Sequence, residues 1–122
     1  MPSRAAAAGE RHYVKVAPAN EAEMNQLERT NSIVTVGIIG DFDPASEHRA
    51  TSKALHHAAH AVGIAARVSW LPTSELSTGR VHQLLSPFDA LWAAPGSPYA
   101  SMGGALCGIR FAREQGRPFV GT

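Results

Sequence analysis

The residues with the most chemical promise lie in PGSPYASMGG, residues 95–104, where a Gly-Ser-Pro turn directly follows an apolar run. A turn in that place can expose backbone N–H groups toward a ligand. Pro98 has no N–H and fixes its own φ, so it stiffens the turn and leaves the Ser97 N–H as the available donor. Fixed donors aimed at a developing negative charge are what an oxyanion hole is made of. The same residues also suit a simple strand-to-helix connection.

Other reactive residue types are less well placed. His56 and His60 stand four apart and can share one face of a helix, which is a zinc-binding spacing. The glutamate of HExxH and an obvious third ligand are lacking, so His56, His57 and His60 are expected on a solvated face, with no metal. His12, His48 and His82 are scattered. Cys107, the only cysteine, falls inside a helical pattern, where a thiol is ordinarily core filling. A nucleophilic cysteine needs a nearby base and an exposed turn. In VGIIGDFDP, Gly37 and Gly40 do not make a GxGxxG, which predicts a tight turn capped by Asp43 in place of a dinucleotide site. No cofactor is expected.

These residues must be positioned by a single domain, because 122 residues with 44% hydrophobic content are enough for one core. A net charge of +1 with 17% charged residues gives no basic face for nucleic acid. One cysteine allows no internal disulfide, and no secretory signal or spanning apolar run of about 20 residues is present, so a cytoplasmic protein that does not engage a membrane is expected. Residues 1–32 are alanine-rich at the start and lack sustained periodicity, which predicts a flexible N-terminal arm. Within it HYVKV offers a short edge strand and EAEMNQLERT a helical turn or two, and Met24 is an alternative start.

The domain proper occupies residues 33–122. IVTVGIIG is unbroken in β-branched and apolar residues, the pattern of a central parallel strand covered on both faces. Asp43 as N-cap and Pro44 at the first helical position open a helix through about Val62, with Ala50, Ala54, Leu55, Ala58, Ala61 and Val62 as its apolar stripe and Gly63 as its stop. ARVSWLP reads as a second strand, STGRVHQLLSP as a loop with a short helix, and FDALWAAPG as a third strand ending at a Pro-Gly break. GGALCGIRFAREQG predicts a helix with Leu106, Ile109 and Ala112 on one side and Gly116 as its stop, and PFVGT begins a buried fourth strand. This alternation implies an α/β fold, an open parallel sheet with helices on both faces, whose ligands sit at the carboxyl ends of the strands.

The order of these stretches resembles the glutamine amidotransferase domain of CTP synthases, a class I (Cys-His-Glu triad) amidotransferase with a flavodoxin-like sheet. The matching stretches are VGIIGDF, SKALHHAAHAVGI, ARVSWL, FDALWAAPGSPY and GGALCGIRFAREQGRPFVGT, which together span residues 33–122. Within the family, the chain is most similar to the branch of CTP synthase C-terminal-region-related proteins, in which Gly-Ser-Pro-Tyr replaces Gly-Gly-Phe-Gly.

The resemblance implies hydrolysis of the glutamine side-chain amide through a covalent γ-glutamyl intermediate that releases ammonia. It also implies a catalytic cysteine directly after Gly121 and Thr122, a glycine-rich turn, and later a His and a Glu. Residues 1–122 contain none of these, so the resemblance implies a domain truncated just before its nucleophile. The branch is associated with a selenocysteine nucleophile, which implies a UGA codon read as a stop; a frameshift or a deliberate fragment would leave the same sequence.

Gly96 and Ser97 take the positions of the family's two consecutive glycines, and the Ser97 N–H is implied as one of two oxyanion donors. The other belongs to the residue after the nucleophile. Pro98 departs from CTP synthases but matches the Gly-Gly-Pro of other class I amidotransferases, and Tyr99 is implied in the glutamine pocket. Glutamine is the implied small-molecule substrate, with a synthetase partner to receive ammonia. No ATP-binding P-loop is present, so CTP synthesis by this chain alone is not implied. A noncatalytic binding or regulatory module, whose loop at Gly96 to Tyr99 takes a small carboxylate or a partner protein, is the alternative. An unpaired apolar edge at PFVGT predicts poor solubility or a homo-oligomer.

Overall fold

Two consecutive isoleucines, Ile38 and Ile39, are both completely buried, although neighbouring side chains of a strand point to opposite faces. The strand that carries them is therefore covered twice. In the computed structural model, which describes Ala22 and residues 33–95 and 99–122, this strand is β1 (Ile33–Ile39). It is followed by α1 (His48–Ala61), β2 (Ala65–Leu71), α2 (Thr73–Leu76), α3 (Val81–Leu85), β3 (Ala90–Ala93), α4 (Met102–Glu114) and β4 (Phe119–Gly121). The strands form one sheet in the order β2-β1-β3-β4, and every pair is parallel.

Strand order and chain order together place the helices. The chain moves from β1 out to β2 and then returns past β1 to β3, so right-handed crossovers put α1 on one face and α2 to α4 on the other. The core divides accordingly. Ile38, Val68, Trp70 and Ala94 pack with Ala59 and Leu55 of α1, whereas Ile39, Leu71 and Leu91 pack with Leu76, Leu85, Ala105, Phe111 and Ala112 of the other three helices. This is the expected α/β sheet, with helices on both faces. No helix among the described residues is long and apolar enough to cross a membrane.

Several expectations are corrected at the level of local structure. The first helix begins at His48 and not at Pro44. Asp43 caps a turn instead: its Oδ1 accepts from Ala45 N at 2.9 Å and its carbonyl from Ser46 N at 3.1 Å, which inserts residues 44–47 before the helix. The buried face of α1 is His48, Thr51, Ser52 and Ala59, with Leu55 half-buried, while Ala50, Ala54, Ala58 and Ala61 face solvent and Val62 is 71% exposed. Small polar residues that find partners inside outcompeted alanine for the core. Gly63 does end the helix: its φ is +76°, its N–H reaches the His60 carbonyl, and Ile64 N–H reaches Ala59, the bond pattern of a Schellman cap.

The connection from β2 to β3 holds two short helices, not one. In α4 the inward side is Gly104, Ala105, Gly108, Phe111 and Ala112, so Ala112 is placed as expected while Leu106 is exposed and Ile109 half-buried. The fourth strand, expected to be buried, is exposed at all three residues, because it lies at the sheet edge. The arm expected at residues 1–32 lies outside the described residues apart from Ala22.

One surface carboxylate ties the start of β1 to the start of β3. Asp89 Oδ2 accepts from Thr35 N at 2.8 Å and from Thr35 Oγ1 at 2.9 Å. These bonds, helped by the nearby Arg117 cation, hold the Asp89 carboxyl below the usual carboxylate range. A depressed folded pKa adds stability that is present above the unfolded value and is lost as pH falls through the folded one. Asp89→Asn is therefore expected to melt below the wild type near neutral pH, with the gap closing below about pH 4. Melting both proteins across that range checks it.

Candidate functional site

The chain leaves β1 toward β2 and leaves β3 toward β4, in opposite directions, so the sheet's topological switch point falls between the carboxyl ends of β1 and β3. Two loops meet there: residues 40–47 after β1 and residues 94–101 after β3. Gly96, Ser97 and Pro98, the centre of the expected site, lie outside the described residues.

Asp41 holds the far end of the second loop. Its Oδ2 accepts from Ala100 N at 2.9 Å, its Oδ1 accepts from Thr73 N at 2.9 Å, and the Thr73 hydroxyl lies 2.9 Å from Oδ2. That hydroxyl in turn accepts from Ser101 N at 2.9 Å, and Ser101 Oγ caps α4 by accepting from Gly104 N at 3.0 Å. The donors gathered at the starts of α2 and α4 thus meet the chain's own carboxylate, in the place where a doubly wound fold would offer them to a phosphate. Thr73 is fully buried, Asp41 and Ser101 are half-buried, and the Ala100 end of the network is exposed.

His48 holds the near end. His48 is 4% exposed, its ring lies 4.6 Å from the Trp70 ring at a tilt of 38°, and both nitrogens are used. Nδ1 accepts from Asp43 N and Nε2 lies on the Pro95 carbonyl, each at 2.9 Å. An amide can only donate and a carbonyl only accept, so these contacts require the neutral ring with its proton on Nε2. Tyr99 closes the loop on itself: its hydroxyl donates to the Ala94 carbonyl at 2.6 Å, while its half-buried ring packs on the core beneath α4.

The end of β4 lies alongside. Ala93 pairs with Gly121, Thr122 N donates to the Ala93 carbonyl at 3.2 Å, and Trp92 Nε1 donates to Thr122 Oγ1 at 3.1 Å. Elsewhere, Cys107 is half-buried on α4, His56 is half-buried, and His57 and His60 are exposed. Among the described residues no group of three or more His, Cys, Asp or Glu is placed to hold a metal ion.

Asp41, Thr73 and His48 were not singled out by sequence. Asp41 and Thr73 carried a usable signal, since each is the first side chain able to accept or donate after a buried strand, the position from which residues face a switch point. His48 carried none: one more polar residue near the start of an alanine-rich helix looks solvated.

Comparison with curated proteins finds CTP synthases. The chain is 33% identical over 89 residues to CTP synthase of Acidobacterium capsulatum, covering 72% of this chain and 16% of that protein. The chain is related to a region of CTP synthase. CTP synthase of Pelotomaculum thermopropionicum is 26% identical over 113 residues, 88% of this chain and 21% of that one. CTP synthase of Bacillus subtilis is 24% identical over 117 residues, 89% of this chain and 22% of that one. The CTP synthase-related chain thus spans about a fifth of the length of these relatives. No protein-family model matches it.

Proposed function

We propose that this chain is the first part of a glutaminase domain of the class I amidotransferase type, in which the loop from Gly96 to Tyr99 supplies the oxyanion side of the site and Ser97 N–H is one of its donors. The nucleophile, a cysteine or selenocysteine, is encoded after Thr122. The observation that carries this is the pairing of β3 with β4. Ala93 lies opposite Gly121, and a strand continued in that register would set the residue after Thr122 opposite Pro95, at the usual ladder spacing of about 4.8 Å. A nucleophile there adjoins the loop whose donors receive the charge, as attack on an amide carbonyl requires.

In the complete protein the nucleophile attacks the glutamine side-chain amide. The carbonyl oxygen gains negative charge and is met by Ser97 N–H together with a second backbone donor. Collapse expels ammonia, and water then hydrolyses the thioester or selenoester, with a histidine as base. Similarity to CTP synthases supports glutamine as substrate, a synthetase partner that consumes the ammonia, and a place in pyrimidine nucleotide synthesis. Sequencing the transcript through the codon after Thr122, with the intact mass of the native protein, tests the proposal. A Cys or UGA codon followed by a glycine-rich turn and a correspondingly larger mass is expected; a frame that encodes neither would overturn it.

A further inference from the structure

Three donors at the carboxyl end of the sheet converge on one point, and the group that fills it comes from the chain itself. Thr73 N donates to Asp41 Oδ1 at 2.9 Å and Ala100 N to Oδ2 at 2.9 Å, so each oxygen takes one amide. The Thr73 hydroxyl lies 3.1 Å from Oδ1 and 2.9 Å from Oδ2. It accepts from Ser101 N, which leaves its single proton for the carboxylate. Two N–H groups and one O–H, all neutral, thus surround a planar group with two oxygens and one charge. The shape of this cradle does not depend on Asp41. Thr73 is fully buried, and α4 is seated on it so closely that a Cβ on Gly104 would lie 1.7 Å from the Thr73 carbonyl oxygen. Ser101, which fixes the hydroxyl through its N–H, is itself held by the bond from Gly104 N to its Oγ. Asp41 reaches in from the loop after β1, and the Ala100 side is open to solvent.

We propose that Thr73 and Ala100 form a carboxylate-binding cradle whose resident ligand is the Asp41 side chain. In the wild type the cradle is filled and its charge repels other anions, so this part of the switch point is closed to phosphate groups. With the aspartate removed, the same donors are left without an acceptor and take a small free carboxylate. This stands whether or not the complete protein hydrolyses glutamine. The group that Asp41→Gly removes is acetate less one hydrogen, and the further part that Asp41→Ala leaves room for is formate, because the alanine methyl occupies the place of the acetate methyl.

The test titrates the ¹⁵N-labelled complete protein near neutral pH with sodium acetate and sodium formate, each against sodium chloride at equal ionic strength. Wild type, Asp41→Gly, Asp41→Ala and Asp41→Asn are compared. In Asp41→Gly, saturable shifts of the Thr73 and Ala100 amide signals are expected with both carboxylates, half-complete at about tens of millimolar. In Asp41→Ala, formate is expected to bind about tenfold more tightly than acetate. Wild type and Asp41→Asn, whose cradles are filled, are expected to show no such shift, and the wild type none with inorganic phosphate. Acetate is also expected to raise the melting midpoint of Asp41→Gly above its value in chloride. Leu84→Ala, which is destabilised by a cavity in the core, controls for general salt effects and is expected to show no such excess. Thr73 and Ala100 signals of Asp41→Gly that respond alike to acetate and chloride would overturn the proposal. An equal acetate excess in Leu84→Ala, or a saturable shift of the two wild-type signals with phosphate, would overturn it too. If Asp41→Gly is unfolded in chloride, failure of about 1 M acetate to restore a cooperative melt overturns it as directly.

Discussion

Gly104→Ala is expected to destabilise the domain by about 3 kcal/mol or more, a large fraction of the stability of a domain this size. A Cβ built on Gly104 falls 1.7 Å from the Thr73 carbonyl oxygen and 2.7 Å from its carbon. Both are backbone atoms, and they cannot withdraw, because Thr73 is fully buried and pinned to Asp41 and Ser101. The start of α4 would have to lift away from α2, taking Ser101 and the end of the candidate loop with it. Gly103, one residue earlier, provides the contrast. It is exposed, the closest atom to its added Cβ is Ser101 Oγ at 3.9 Å, and alanine has the better helix propensity. Gly103→Ala is expected to be neutral or slightly stabilising. Urea midpoints of the two variants, measured side by side, check both.

Asp41→Ala should cost about 3 kcal/mol. The carboxylate serves Thr73 N, Thr73 Oγ1 and Ala100 N at once, and alanine leaves the two donors of fully buried Thr73 without their acceptor, while exposed Ala100 N can turn to water. Asp41→Asn should cost less, because one carbonyl oxygen survives, yet it brings an NH₂ group toward a backbone N–H, which cannot accept from it. The two substitutions are therefore expected to rank Asp, Asn, Ala in denaturation midpoint. Hydrogen exchange at Ala100 and Ser101 should quicken in the same order, since Ser101 N hangs on the same Thr73 hydroxyl.

The architecture was legible because period and punctuation agreed. IVTVGIIG reads as a strand covered on both faces, and the Pro-Gly break located the end of the third strand. What was not legible shares one physical cause, polar groups that are satisfied inside. His48, Thr51 and Ser52 form the buried side of α1 because Asp43 N, the Pro95 and Glu47 carbonyls and the Trp70 indole meet them there. A count of apolar residues assigns that face to the alanines. The fourth strand was read as buried from Phe119 and Val120, but burial of an edge strand depends on what lies beside it, and Val120 is 53% exposed. At the candidate site, Gly-Ser-Pro drew attention to residues 95–104, of which Gly96, Ser97 and Pro98 lie outside the described residues, whereas Asp41, which accepts from Ala100 N, lies 59 residues away from it in sequence.

The central claim is that the loop after β3 presents Ser97 N–H to glutamine. Titrating the ¹⁵N-labelled complete protein, with the residues encoded after Thr122, with L-glutamine while following the amide signals of Gly96, Ser97 and Tyr99 tests it most directly. A saturable shift at millimolar concentration, centred on Ser97 and absent with the shorter L-asparagine, is predicted. No shift at these three amides, or the same shift with both amino acids, would contradict it.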